Sequence, residues 1–386
     1  MRFHVIALPH TVTSKVYSPC AYTQKVFNFC KMMMSLGHEV YHYGGQDSTV
    51  ECTEHITVIT KEQQVKWWGS NDWRKEFFAI EWDSNIDYWR ESNSNSIREI
   101  KKRIQPKDFI CLIGGNCQKP IADAFPVNMA VEFGIGYHGV FSKYRVFESY
   151  AWMHHIYGEL KQGDGSWYDA VIPNYFDPAD FPLVGQKEDY FLYVGRLVMR
   201  KGLEVAVRTT EKLGKKLLIA GQGVIRTEPG MIVAKELTLK GDHIEHIGVL
   251  DVEKRGKLMG GAKALFAPTY YIGPFEGVSI EALFCGTPVI TTDWGCFSEN
   301  NIDGRTGFRV RTLGESVWAA NNLDRLWHPK MLRAYAEDRF SIDVVKYRYQ
   351  DYFEQLARLW GDGWYTMDYQ PTKRDFGGFR YNEKLY

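Results

Sequence analysis

Apolar runs of strand length alternate with segments of helical period along most of this chain, a pattern with few solutions other than parallel sheets covered by crossover helices. The alternation comes in two series. The first predicts strands at Phe3–Leu8, His38–Tyr43, Asp108–Ile113, Val127–Phe133 and Ala170–Pro173, with helices at Tyr22–Leu36 and Tyr144–Tyr157. The second predicts strands at Tyr190–Val194, Lys216–Ala220, Ile244–Ile247, Ala264–Ala267 and Pro288–Thr291, with helices at Leu203–Leu213, Val252–Leu258 and Val278–Phe284. A stretch containing Pro and Asp, Asp177–Lys187, separates them. A chain of 386 residues exceeds one ordinary core and suits two. The expected organisation is an α/β domain over 1–180, a second over 188–345, and a helix and tail over 346–386. Residues 61–95 break the rhythm with Trp67, Trp68, Trp73, Phe77, Phe78, Trp82, Tyr88 and Trp89, and read as an aromatic insertion in the first domain.

Lys plus Arg and Asp plus Glu both number 47, so no global field draws the chain to nucleic acid or an anionic membrane, and any anion must be bound locally. The seven cysteines form no CxxC pair and fit reduced thiols in a cytosol. The apolar start is too short for a signal peptide and no run reaches membrane-spanning length. A cytoplasmic location without a transmembrane segment is expected.

In parallel α/β sheets ligands bind beyond the carboxyl ends of the strands, and three loops of the second half are placed there. In the first, Val194-Gly195-Arg196 is followed five residues on by Lys201. Arg196, by its bidentate fork, and Lys201, as a point charge, could converge on one anion; the alternative is two solvated loop charges. The second loop contains Gly273-Pro274-Phe275-Glu276-Gly277-Val278-Ser279-Ile280-Glu281, where a helix start offers unpaired amides to a phosphate. Glu281 sits among apolar neighbours and needs a partner, either a ligand or an Arg or amide of the chain itself. The third is Thr292-Asp293-Trp294-Gly295-Cys296-Phe297-Ser298-Glu299-Asn300.

Together these residues resemble the retaining glycosyltransferases of the GT-B fold, of the glycogen-synthase-like group-1 type often called family 4. The resemblance rests on Gly195, Arg196 and Lys201, on Pro173-Asn174-Tyr175-Phe176-Asp177, on the turn Ala220-Gly221-Gln222-Gly223, on Glu281, on Cys285-Gly286-Thr287-Pro288-Val289-Ile290 and on Asp303-Gly304-Arg305-Thr306-Gly307. It implies two facing Rossmann-like domains with a C-terminal helix crossing back to the first. It also implies a nucleotide-diphosphate sugar donor, a UDP-sugar being the first expectation, held by Gly195, Gly221, Gly273, Phe275, Glu276, Gly277, Val278 and Glu281, with the ribose on Glu281 and the diphosphate on Arg196 and Lys201. A hexosyl group would pass with retention to an acceptor glycan or other hydroxyl compound. The sequence shows no Asp-x-Asp triplet and no His/Cys cluster with metal spacing, so metal-independent transfer without a cofactor is expected. Alternatives in the same fold are a sugar-nucleotide epimerase and a non-catalytic sugar-nucleotide or glycan-binding protein.

Two positions depart from the family pattern. The family carries a glutamate eight residues before Glu281, where this chain has Gly273; the nearest carboxylate, Glu276, lies about 140° from Glu281 around an ideal helix. The loop after the first strand, glycine-rich in relatives, is here His10-Thr11-Val12-Thr13-Ser14-Lys15-Val16-Tyr17-Ser18-Pro19-Cys20-Ala21. In the first half, His138 is the candidate for the histidine that relatives place against the donor sugar, and Glu132 is its rival, contacting acceptor hydroxyls or pairing with Arg145. His10, His154 and His155 are weaker candidates. Trp68 and Trp73 are the expected acceptor contacts, because sugar C–H faces stack on aromatic rings.

Overall fold

A computed structural model describes residues 1–17, 20–69, 80–361 and 363. Strands β1 (Arg2–Ile6), β2 (Glu39–Gly45), β3 (Glu54–Ile59), β4 (Phe109–Leu112), β5 (Met129–Ile135), β6 (Tyr144–Phe147) and β7 (Asp169–Val171) form one sheet in the order β3-β2-β1-β4-β5-β6-β7. Every pairing in it is parallel. Between these strands lie helices α1 (Ala21–Ser35), α2 (Lys61–Trp68), α3 (Asp87–Ile100), α4 (Lys119–Asp123) and α5 (Tyr150–Glu159). The central strands are apolar on both faces, as a sheet buried on two sides requires: Phe3, Val5, Phe109, Cys111, Val131 and Phe133 on one face and Ile6, Ile110 and Leu112 on the other are fully buried.

The second half repeats the plan with β8 (Tyr190–Val194), β9 (Lys216–Ala220), β10 (Val224–Glu228), β11 (Met231–Ala234), β12 (Thr238–Lys240), β13 (Ile244–His246), β14 (Leu265–Ala267), β15 (Val289–Thr292) and β16 (Gly307–Val310). Six of them form a parallel sheet in the order β13-β9-β8-β14-β15-β16. The link from β9 to β13 is not a helix but the small antiparallel sheet β10-β11-β12. Helices α6 (Leu203–Leu213), α7 (Val252–Gly261), α8 (Gly277–Phe284), α9 (Phe297–Asn300), α10 (Leu313–Asn321), α11 (Pro329–Phe340) and α12 (Ile342–Arg358) complete it.

α12 returns to the first half. Its Val345, Tyr349, Phe353 and Leu356 are buried in the core built by Phe3, Phe29 and Phe109, with the Phe353 ring 4.7 Å from Phe3 and 4.9 Å from Phe109. Where the chain crosses between the halves, at Phe176 and again at Ser341, the two passages are hydrogen-bonded side by side: Phe176 N donates to Phe340 O at 2.9 Å and Ile342 N to Phe176 O at 2.9 Å. The result is the GT-B architecture of two parallel α/β sheets bridged by C-terminal helices.

Several elements differ from the sequence expectations. Residues Tyr144–Phe147, expected to open a helix, are β6, paired with β5 on one side and β7 on the other; the helix starts only after Ser149, whose hydroxyl accepts from Trp152 N. β3, β10, β11, β12 and β16 were not among the expected strands. The aromatic segment around 61–95 is also joined to the sheet, since α3 is the crossover from β3 to β4 and its Trp89 is fully buried, with Tyr88 9% exposed.

Candidate active site

In the second sheet the strand order reverses between β8 and β14, so the crevice for a ligand lies beyond their carboxyl ends. Gly195 and Arg196 follow β8 directly. The turn after β9 leans on them: Gly195 N donates to Ala220 O at 2.9 Å and Leu197 N to Gln222 O at 2.9 Å. Gly221, at φ +147, is needed for this approach, because a Cβ there would stand 1.9 Å from the Gly195 carbonyl oxygen. The charge of Arg196 acts on the phenols of Tyr193 and Tyr271 of its own half and on Tyr22 of the other, which places it between the halves.

From the loop after β14 comes Glu276. Its carboxylate receives Lys201 Nζ at 2.6 and 2.8 Å and the Tyr271 hydroxyl at 2.6 Å. Lys201 and Glu276 are 17% and 5% exposed, and burial beside the Glu276 charge drives the Tyr271 phenol well above its usual range. The turn achieves this by a conformation that an ideal helix excludes: Glu276 is left-handed, at φ 58 and ψ 60, a state that costs a non-glycine residue about 1–2 kcal/mol. Gly273 makes the room. A Cβ at 273 would lie 2.8 Å from Glu276 Cγ and 2.9 Å from its Oε1, so the side chain missing at 273 is replaced in space by that of Glu276.

The other second-half candidates divide. Gly277 opens α8 under the ring of Phe176, which a Cβ would meet at 3.1 Å, and Val278 packs on the core beneath. Phe275, expected to touch the donor, is 1% exposed and packs on Phe176 and Phe340; it holds the turn as a core residue. Glu281 has a partner within the chain: Arg255 of α7 lies 2.7 Å from it.

In the first half His138 and Glu132 both have partners within the chain. The His138 ring packs on α5, 5.1 Å from Trp152 and 5.6 Å from His155, with Nδ1 2.7 Å from Glu159 Oε2. Glu132 is 0% exposed in the middle of β5. It accepts from Phe141 N at 2.9 Å, Ser142 N at 2.8 Å and Tyr137 OH at 3.2 Å, fastening the 137–142 loop. Burial raises its carboxyl to about 7. Arg145 pairs instead with Asp169 at 2.6 Å. Trp68 stands half-buried beside Tyr88, 4.9 Å away, and His10, 6.1 Å away. His10 is 6% exposed, its Nδ1 has no partner among the described residues, and burial lowers its pKa to about 4. Trp73 lies outside the described residues.

Sequence reasoning missed what joins the halves. The N-terminus of α5 meets Glu299 of α9, whose carboxylate accepts from Tyr150 N at 2.9 Å and Ala151 N at 2.7 Å, while Ser149 Oγ donates to Pro274 O at 2.7 Å. A helix N-terminus is an anion site, and here a side chain of the other half fills it. Also missed was the buried pair of Lys25 with Glu148, beside Asn174. A capping serine before a helical run was the available signal for the α5 contact; the Lys25 pair had none.

Residues 188–327 match the family model described as glycosyl transferases group 1. The chain is similar to glycogen synthase of Mycobacterium tuberculosis strain CDC 1551, with 32% identity over 157 residues, 38% of this chain and 36% of the relative. It is also similar to phosphatidyl-myo-inositol mannosyltransferase of Mycobacterium leprae, with 28% identity over 195 residues, 46% of this chain and 49% of the relative. The chain thus spans half or less of the length of these relatives. Among solved structures, sucrose-phosphate synthase of Thermosynechococcus elongatus superposes with a TM-score of 0.69 at 14% identity, covering 92% of this chain and 98% of that one. Anabaena HepE, solved with UDP-glucose, superposes with a TM-score of 0.59 at 13% identity over 93% of this chain and 100% of that one. No helix among the described residues is long and apolar enough to cross a membrane.

Proposed function

Because residues 188–327 belong to the glycosyl transferases group 1 family, within a chain of GT-B fold, we propose that this protein transfers a hexosyl group from a nucleotide-diphosphate sugar to an acceptor hydroxyl, with retention and without a metal. The observation that carries this is the Lys201–Glu276 pair beside Arg196, built from the loops after β8 and β14 on either side of the strand-order reversal.

As the glycosidic bond breaks, negative charge collects on the departing diphosphate. Arg196 and Lys201 supply fixed positive charge where it develops, and preorganised charge of this kind is commonly the largest catalytic contribution. Glu276 holds Lys201 in place and presents a carboxylate to the sugar hydroxyls, the task given in relatives to the glutamate this chain lacks at 273. Retention follows if the acceptor attacks from the face the diphosphate leaves, with a phosphate oxygen receiving its proton; no carboxylate nucleophile is then required. Glu281, braced by Arg255, would take the ribose. Contacts between the halves at Ser149, Tyr150 and Ala151 would exclude water, the competing acceptor.

The test is a screen of nucleotide sugars by thermal shift, with UDP-sugars first because HepE was solved with UDP-glucose. At a hundred times its dissociation constant the true donor stabilises the folded chain by about 2.7 kcal/mol, and the same donor should be slowly hydrolysed when no acceptor is added. Stabilisation without any turnover would mean a binding protein, and an isomeric nucleotide sugar as product would mean an epimerase.

For the acceptor, Trp68→Ala is expected to lower transfer roughly fivefold while sparing donor hydrolysis, since an aromatic stacking contact is worth about 1 kcal/mol. Equal loss of both reactions would make Trp68 a support of the fold, not an acceptor contact.

A further inference from the structure

The loop after β5 and the last turn of α5 bring together three metal-ligating side chains that the sequence holds apart. His155 and Glu159 are one helical turn apart and so share a face of α5; His138 reaches them from the loop. One ligand atom from each lies within 4.8 Å of the other two. His138 Nδ1 stands 2.7 Å from Glu159 Oε2, and the two imidazole centroids are 5.6 Å apart. Trp152, 5% exposed, backs both rings, 5.1 Å from that of His138 and 4.8 Å from that of His155. The indole restricts where the imidazoles can turn, while His138 and Glu159 stay exposed and His155 half-exposed, so the cluster is open to solvent.

We propose that His138, His155 and Glu159 form a binding site for one divalent transition-metal ion of the zinc type. Two imidazole nitrogens and one carboxylate oxygen suit zinc, cobalt or nickel; magnesium and calcium take sets of oxygen ligands. Three protein ligands leave a position for water. Around a tetrahedral ion with bonds of about 2.0–2.1 Å the ligand atoms stand roughly 3.3 Å apart, a contraction that side-chain rotation supplies. An ion bound at His138 Nδ1 and Glu159 Oε2 would replace the direct contact that these two atoms now make.

This site is separate from the donor cradle and does not depend on the donor reading. The contacts between the halves are made at Ser149–Ala151, and ten helical residues span about 15 Å. An ion held by residues 138, 155 and 159 would fasten the C-terminal end of α5 to the β5 loop, anchoring the helix whose other end touches the second half.

The experiment uses the full chain after treatment with chelator, titrated with Co(II) by visible absorption and with Zn(II) by calorimetry. One ion per chain is expected, with weak d–d bands and no intense thiolate charge-transfer band, and with no competition from millimolar Mg(II) or Ca(II). His155→Ala and Glu159→Gln should each weaken binding at least tenfold, while their melting temperatures without metal match that of the unsubstituted protein. No stoichiometric binding would overturn the proposal. So would binding that survives both substitutions or that carries thiolate bands, which would place the ion on cysteines.

Discussion

Lys201→Ala and Glu276→Ala are each expected to lose about a hundredfold in kcat/KM while the chain stays folded. Removing one preorganised contact to developing charge costs about 3 kcal/mol. For Glu276 the loss has two parts, a carboxylate withdrawn from the sugar and a lysine left without the partner that now binds it at 2.6 Å. A more specific outcome follows from the space at 273. Gly273→Glu alone would set its Cβ 2.8 Å from Glu276 Cγ and crowd two carboxylates together, so it should be nearly inactive. The double exchange Gly273→Glu with Glu276→Gly puts the carboxylate back at the family position and gives the left-handed residue to glycine, which tolerates it. That variant should exceed either single change by at least about tenfold. Wild-type turnover in Glu276→Ala, or a double exchange no better than Gly273→Glu, would show that the two positions are not substituting for one another.

The second large effect is on stability against acid. His42 is fully buried, with Nδ1 2.9 Å from His55 Nδ1 and Nε2 3.0 Å from Thr13 Oγ1. Burial, reinforced by His55, lowers its pKa to about 3; burial alone lowers that of His10 to about 4. Both folded values lie below the unfolded value of about 6.5. Their stabilising contribution is therefore complete above pH 6.5 and is lost as pH falls toward the folded values. At pH 5 each has lost roughly 2 kcal/mol, taking about 1.4 kcal/mol per pKa unit. Glu132 opposes them. Its pKa, raised by burial to about 7, makes the folded state the better proton binder between about 4.5 and 7, returning roughly 2 kcal/mol as pH falls to 5. His38 and His55, also lowered by burial, add to the loss, so wild type should lose at least about 2 kcal/mol between pH 7.5 and 5, and Glu132→Gln, without the compensation, roughly 2 kcal/mol more. Melting temperatures at the two pH values provide the check. A flat profile, or a Glu132→Gln slope no steeper than wild type, would sink this account.

Much of the second half was legible because its buried parallel strands read as unbroken apolar runs between glycine-marked turns. β8 and β9 fall on the residues expected. β6 was not legible: Tyr144-Arg145-Val146-Phe147 has the aromatic and β-branched residues of a strand, but four residues are too few to show a period beside the helical run that follows, and pairing on both sides decides its state. The site divides in the same way. Lys201 and Glu276 could be named from spacing, but their meeting depends on a left-handed turn that ideal helical geometry places on the wrong side. The burial of Glu132 and Phe275 was not legible, because charge and ring chemistry are visible in a sequence and depth is not. His138 stands at the expected strand end, yet the direction of its side chain is set by Trp152 and Glu159 on a helix the sequence does not connect to it.

The paired passages at Phe176 and Ser341 bear on how the cleft opens. A single covalent thread between two bodies behaves like a ball joint, free to bend and to spin about its own axis. Two threads fastened together behave like a door hinge: spinning one body about the linker would break both backbone hydrogen bonds, so bending is the motion that remains. Any opening would then follow nearly the same arc, and closing would return Arg196 to the same place opposite Tyr22. Phe176, the pin of that hinge, also lies against the first residue of α8 and stacks on Phe275. Rotation of the pin is thereby geared to the turn that carries Glu276.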